Sequence, residues 1–313
     1  MRAFAAIAGI AAALALGALS AGASFAQAAG ADRYANVQAL HDPELAGDVP
    51  AVYSPGFKTR AQRLQALMAD ELAFYRARLD MNVSLSLAVL DPEQWRHAEA
   101  QIPYPMPSVD GVRPVALLPA DPDLAPEFLP QKKDASARVL AAVAAHGLSW
   151  HDAAVEGMDL IAGHELGHTL NKTYGIAPGT HWLNEFMASY ALYAWLAGAH
   201  PKKLWLVKDL VTVGPNHRQP HVSLDEFETR YDEILSAPGG DNYGWYQRQF
   251  IGLVEIIYPR QGLSLFAKMR AAFPGGSYAY AQLGEGESLK RLDTIDPAFR
   301  VWTETMARQP SGR

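Results

Sequence analysis

The chain has 313 residues, 49% of them hydrophobic, enough to bury a substantial core as one large domain or two intimate lobes. A formal net charge of −6 and the lack of any basic block argue against a nucleic-acid or anionic-membrane partner. With no cysteine, disulfides, thiolate metal ligands and a thiol nucleophile are all excluded, so any metal must be held by histidine and carboxylate.

Arg2 is the only charge before Asp32, and an Ala/Leu/Gly run leads to Ala26-Gln27-Ala28. This pattern predicts a cleavable signal peptide over 1–28, a periplasmic or extracellular destination, a bacterial source, and no membrane anchor after cleavage. Residues 29–58 carry little periodicity and read as an irregular arm. Leu64, Leu67, Met68, Leu72, Tyr75 and Leu79 recur at helical spacing, predicting a helix over about 60–79. Val83, Leu85, Leu87 and Val89 alternate with small residues, as in a half-buried strand. Prolines 103, 105 and 107 rule out regular structure there. Val115–Leu118 is a second short strand, closed by Pro119. An acidic, Pro-rich loop over 119–134 and a short helix over 135–145 follow, with Gly147 as its stop.

A longer helix is predicted from Asp152 to about Thr173, and it holds His164-Glu165-Leu166-Gly167-His168. A helix advances about 100° per residue, so two histidines four apart lie on one face and can share a metal ion. Glu165 is close enough to reach a water held by that metal. Ile161, Leu166 and Leu170 supply apolar surface, while Ala162, Gly163 and Gly167 leave room for close packing. A largely apolar helix follows over Trp182–Gly198. Further on, Ser223 with Glu226 reads as a capping box opening a helix striped by Leu224, Phe227, Tyr231 and Ile234. Two more helices are predicted at about 242–257 and 262–273, separated by Pro259.

A catalytic zinc site uses three protein ligands and keeps one position for water. A third histidine three residues beyond a glycine is not available, since those positions are Asn171 and Tyr174. Glu185, 17 residues after His168, is the only acid in the apolar helix after Trp182. A lone carboxylate in so apolar a helix is costly unless paired or metal-bound, which favours it as the third ligand. His181, four residues earlier, is the competing ligand or a pocket-lining residue.

His164-Glu165-x-x-His168 followed by Trp182-Leu183-Asn184-Glu185-x-x-Ala188-Ser189-Tyr190 resembles the gluzincin zinc metallopeptidases. The second segment is similar to their aminopeptidase-N-type branch. The resemblance covers roughly 158–190 and implies one Zn2+ held by His164, His168 and Glu185, with Glu165 as catalytic base. It departs from the family in two places. There is no G-x-M-E-N segment upstream, and Leu192 stands where an acid usually supports the zinc histidines. The resemblance also implies an oxyanion-stabilising tyrosine well downstream of the ligand glutamate. Tyr243 and Tyr246, 58 and 61 residues after Glu185, both fit, with His217 and His221 as alternative donors.

These readings give an α+β, zincin-like, two-lobed fold. An α/β lobe (29–175) ends in the metal helix, and a helical lobe (176–313) brings the third ligand. The expected function is a secreted zinc metallopeptidase acting on peptides or unfolded proteins. A zinc-bound but inactive peptidase-like binding or scaffold protein is the alternative. Strand Val115–Leu118, with Val115 and Leu117, is expected to hold an extended substrate by its backbone, with Tyr104 and Met106 shaping a side-chain pocket.

Overall fold

The computed structural model describes residues 32–100, 102–110, 113–215, 218–236, 240–275 and 285–308. Residues 1–28, expected from the sequence to be a signal peptide, and His217 lie outside them. In chain order the elements are α1 (Arg33–Ala39), β1 (Glu44–Leu45), β2 (Ala51–Tyr53), α2 (Lys58–Leu79), β3 (Ser86–Leu90), α3 (Pro92–Ala98), β4 (Ser108–Asp110) and β5 (Val115–Pro119). Helices α4 (Ala137–Ala145), α5 (Trp150–Thr173) and α6 (His181–Ala199) follow. The remainder comprises α7 (Leu224–Thr229), α8 (Tyr231–Ser236), α9 (Asp241–Gln261), α10 (Ser264–Ala272), α11 (Glu285–Ile295) and α12 (Ala298–Ala307). The class is mixed α+β, with one five-stranded mixed sheet and a helical remainder. Asp32 onward clusters as one compact unit. No helix among the described residues is long and apolar enough to cross a membrane.

The sheet order is β1-β2-β3-β5-β4. β2, β3 and β5 run parallel, while β1 and β4 are antiparallel strands at the two edges. Side chains of a strand alternate between faces, and the register puts Leu87 beside Ala116 and Ala88 beside Leu117. Leu87, Val89, Ala116 and Leu118 join the main core with α2, α5 and α6. Ala88, Leu90, Val115 and Leu117 pack on the opposite face against Val37, Trp95 and Ala98 of α1 and α3. The sheet is therefore covered on both sides, as parallel strands require.

This layering corrects several expectations. Residues 29–58 are not an irregular arm, for they contain α1, β1 and β2. These elements are too short for periodicity to reveal them, and β2 is buried throughout. β3 is buried on both faces rather than half-buried, because α1 and α3 cover its second side. The helix opened by Ser223 has its capping box but breaks at Arg230 into α7 and α8. Pro259 does not end α9; it sits inside the last turn, where it leaves the Glu255 carbonyl without its helical donor, and Gly262 closes the helix.

Two helices carry the centre of the molecule. α5 starts where the Ser149 hydroxyl accepts from the Asp152 N–H, and Gly175, at φ +82, turns the chain after it. α6 is buried from Trp182 to Leu196, so its sequence needs no polar face. Its first turn is held by Glu228 of α7, whose carboxylate accepts from the N–H groups of His181 (2.9 Å) and Trp182 (2.8 Å). An anion at a helix N-terminus satisfies otherwise unpaired donors there and suits the helix dipole. At Gly167, α5 and α6 touch backbone to backbone. A Cβ there would lie 2.8 Å from the Ala188 carbonyl oxygen and 3.0 Å from Ala191 Cβ.

Candidate metal centre

The close α5–α6 contact brings three side chains together. His164 Nε2 lies 3.1 Å from Glu185 Oε2 and 3.1 Å from His168 Nε2, and His168 Nε2 lies 3.7 Å from Glu185 Oε2. Among the described residues, His164, His168 and Glu185 form a group whose ligand atoms all lie within 4.8 Å of one another. Ligands about 2.0–2.1 Å from one tetrahedral ion stand roughly 3.3 Å apart, so the donor set fits a metal. Glu185 is 3% exposed and His164 6%, so the charge of Glu185 needs a cation beside it.

The protonation states agree with that need. Burial alone would raise the Glu185 pKa, but the two histidines and Gln247 hold it well below the ordinary carboxylate range. Burial pushes the His168 imidazole down to about 4, toward the neutral form that binds metals, while the charge of Glu185 pulls the other way. Burial would lower His164 as well, yet the hydrogen bond and charge of Glu185 raise it. The pocket thus favours positive charge between His164 and Glu185.

The supporting groups come from α6, α8 and α9. Ser189 Oγ lies 3.2 Å from His164 Nδ1, and the Asn184 side chain stands close enough to the His168 ring to favour its charged form. Leu192 packs over Gly163, where a Cβ would lie 3.0 Å from its Cδ1. On Glu185, the Tyr243 hydroxyl and the Gln247 amide donate to Oε2 at 3.0 and 2.8 Å, and the Tyr231 hydroxyl donates to Oε1 at 2.9 Å. Tyr243 and Gln247 are four apart on α9 and so share a face.

Glu165 faces the same cavity as His164. Burial pushes its carboxyl up to about 7 against the pull of the neighbouring His164, and the Val109 backbone of β4 hydrogen-bonds it. The cavity encloses about 520 Å³ between α5, α6, α9 and the 105–107 and 127–134 segments, with Met106 and Phe128 on its wall.

Other sequence expectations do not meet here. Tyr246 is fully buried, and its hydroxyl donates to the Ser223 carbonyl at 2.7 Å, among Phe227 and Phe250. It lies three residues from Tyr243 but faces the hydrophobic core instead of Glu185. His181 is not in the ligand group; its ring stacks on Tyr231 at 4.1 Å between centroids. His221 is engaged by Glu226 at 3.3 Å. Val115 and Leu117 point away from α5 into the α1/α3 side of the sheet, and β5 is flanked by β3 and β4, so it has no free edge. The outer strand beside the site is β4.

Sequence reasoning missed Tyr231, Ser189 and Gln247 as members of the site. Tyr231 read only as part of an apolar stripe, and its ring does pack on Phe227. The spacing of four from Glu185 to Ser189, and from Tyr243 to Gln247, was the available signal.

The chain gives no significant match to any family model, curated protein or solved structure.

Proposed function

We propose that this protein is a zinc metallopeptidase, hydrolysing peptide bonds of peptides or unfolded proteins. The observation that carries the reading is the buried His164/His168/Glu185 group, with the carboxyl of Glu165 set into the adjoining cavity. Two imidazoles and one carboxylate in a dry site suit zinc. Bound there, zinc would supply a Lewis acid that polarises the scissile carbonyl and acidifies water.

The chain's own groups do the rest. Glu165, poised near pH 7, accepts the proton of the attacking water and returns it to the leaving amine. Its bond to the Val109 backbone fixes the carboxyl against β4. Burial and then the Glu185 and Glu165 charges raise the Tyr243 pKa well above that of a free phenol. Tyr243 therefore keeps its single proton, and turning the hydroxyl from Glu185 to the substrate lets it serve the oxyanion. Ser189 orients the His164 imidazole. β4, whose outer edge is paired with no strand among the described residues, is the backbone along which an extended peptide adds. The leader-like segment 1–28 supports an exported setting, and the zincin-like two-lobed description belongs to this reading.

The alternative is a zinc-bound, inactive binding protein. A binder needs the ligands but has no use for a buried carboxyl poised near pH 7, which favours catalysis. Cleavage of a mixed peptide library by the zinc-loaded chain, abolished by 1,10-phenanthroline, is the test. Glu165→Gln should keep one zinc and lose about 10²–10⁴ of the rate. Folded, zinc-loaded protein that cleaves nothing would leave the binding reading standing.

A further inference from the structure

Arg248 lines the cavity beside His164 and Glu165, and no step of the hydrolysis uses it. It follows Gln247 on α9, so it leaves the helix about 100° round from the side chain that meets Glu185. Its guanidinium is wedged between two backbone segments. A Cβ at Gly214 would lie 2.7 Å from Arg248 Cζ, and one at Gly244 would lie 3.5 Å from Nη1. Both positions are glycine, which leaves room for the planar group to lie flat against the chain.

That cation has no close counter-ion. Burial disfavours its charge, and only Asp241 opposes this, through its charge and without a hydrogen bond. No ion pair or hydrogen bond joins the guanidinium to another described residue. Arginine cannot shed its proton, so a partly buried guanidinium stays charged and short of acceptors. Much of the wall around it is apolar, from residues such as Met158, Val211 and Ile251. Besides Glu165 the cavity lining carries three acids, of which Glu127 and Asp241 are exposed and Asp134 is half-buried; none of them is bonded to the guanidinium. A half-buried fork of donors with no bonded acceptor among the described residues is suited to a planar anion entering the cavity.

We propose that Arg248 is a specificity-determining residue that binds a carboxylate of the substrate inside this cavity. The proposal rests on the peptidase reading, in which the substrate is a peptide. A peptide brings carboxylates from two sources, its C-terminus or an Asp or Glu side chain, and both fit the guanidinium fork.

The test is binding to the full chain after incubation with zinc, followed by NMR titration with four probes. N-acetyl-phenylalanine is compared with its amide, and N-acetyl-Phe-Glu-amide with N-acetyl-Phe-Gln-amide. In at least one pair the acid should bind about tenfold or more tighter, the worth of one charge-assisted hydrogen bond. A preference in the first pair assigns the chain terminus, and one in the second assigns the side chain. Arg248→Gln should erase the preference and Arg248→Lys should keep part of it. Gly214→Ala, which crowds the guanidinium without removing its charge, should weaken it too. Equal binding within both pairs, no measurable binding of any probe, or a preference that survives Arg248→Gln would overturn the proposal. Zinc content and library cleavage are read on the same preparation. An acid preference without zinc uptake would sink the peptidase reading alone. Chelator-sensitive cleavage without an acid preference would sink this one alone.

Discussion

Gly167→Ala adds one methyl group at the point where α5 and α6 touch, and its consequences can be worked from the contact distances. The new Cβ would sit 2.8 Å from the Ala188 carbonyl oxygen, 3.0 Å from Ala188 Cα and 3.0 Å from Ala191 Cβ, where ordinary contact begins near 3.4 Å. Two of the three obstacles are backbone atoms, so no rotamer change relieves them. The helices must separate by roughly 0.6 Å. Overpacking of this kind costs about 1–3 kcal/mol, and replacing a mid-helix glycine by alanine returns about 1 kcal/mol. The net change in stability is therefore small, about 0–2 kcal/mol in the destabilising direction. The metal site is far less tolerant. His164 and His168 ride on α5 and Glu185 on α6, and ligand distances tolerate only roughly ±0.2 Å. Zinc affinity should fall about 10–100-fold, the scale seen when support around a metal site is disturbed. Thermal melting gives the stability and competition with a chelator gives the affinity. A variant with wild-type zinc affinity would refute the argument that the Gly167 contact sets the ligand geometry.

Glu185→Ala should abolish tight zinc binding while His181→Ala retains it, read by metal content after dialysis; the reverse would make His181 the ligand. Tyr243→Phe should lower turnover about 10²–10³-fold with zinc retained, and Tyr246→Phe should leave turnover within a few-fold, since its hydroxyl serves the Ser223 carbonyl. Equal losses in both would contradict the orientation of α9. The capping box at Ser223 gives a pH prediction. Burial would raise the Glu226 carboxyl, but hydrogen bonds from Val222, Ser223 and His221 bring it down to about 2. A carboxyl depressed in the folded state contributes stability above its unfolded pKa of about 4.3, and the contribution is lost as pH falls toward 2. Glu226→Gln should therefore flatten the acid limb of stability between about pH 4 and 2, and an unchanged limb in chemical denaturation would reject the assignment. Ser223→Ala should cost about 1 kcal/mol in the same assay.

Several features of the site were readable because they are local. The spacing of His164 and His168 states that they share a face, whatever surrounds the helix. Glu185 stood out as the only acid in a run that the structure buries from Trp182 to Leu196. The Ser223/Glu226 capping box depends on three residues of separation and is present as read. The misreadings about the site concern the partner. Val115–Leu118 is a strand in both views, but its sequence does not tell which strand lies beside it. β4, only three residues long and next to prolines, carries too little pattern to announce itself as the edge. Tyr243 and Tyr246 are three residues apart on one helix, and the rotation of α9 about its axis decides which meets Glu185.

By itself, then, the sequence determined which side chains share a helix face, where the helices near the site start, and which acid is out of place in an apolar run. These follow from helical periodicity and capping, which act over a few residues. The tertiary structure alone decided that α5 and α6 meet at Gly167, that β4 covers β5, and that Tyr243, Gln247 and Tyr231 converge on Glu185. It also set Arg248 into the cavity wall. The relative phase and spacing of packed elements come from side chains distant in sequence filling a common volume, and no local pattern encodes them.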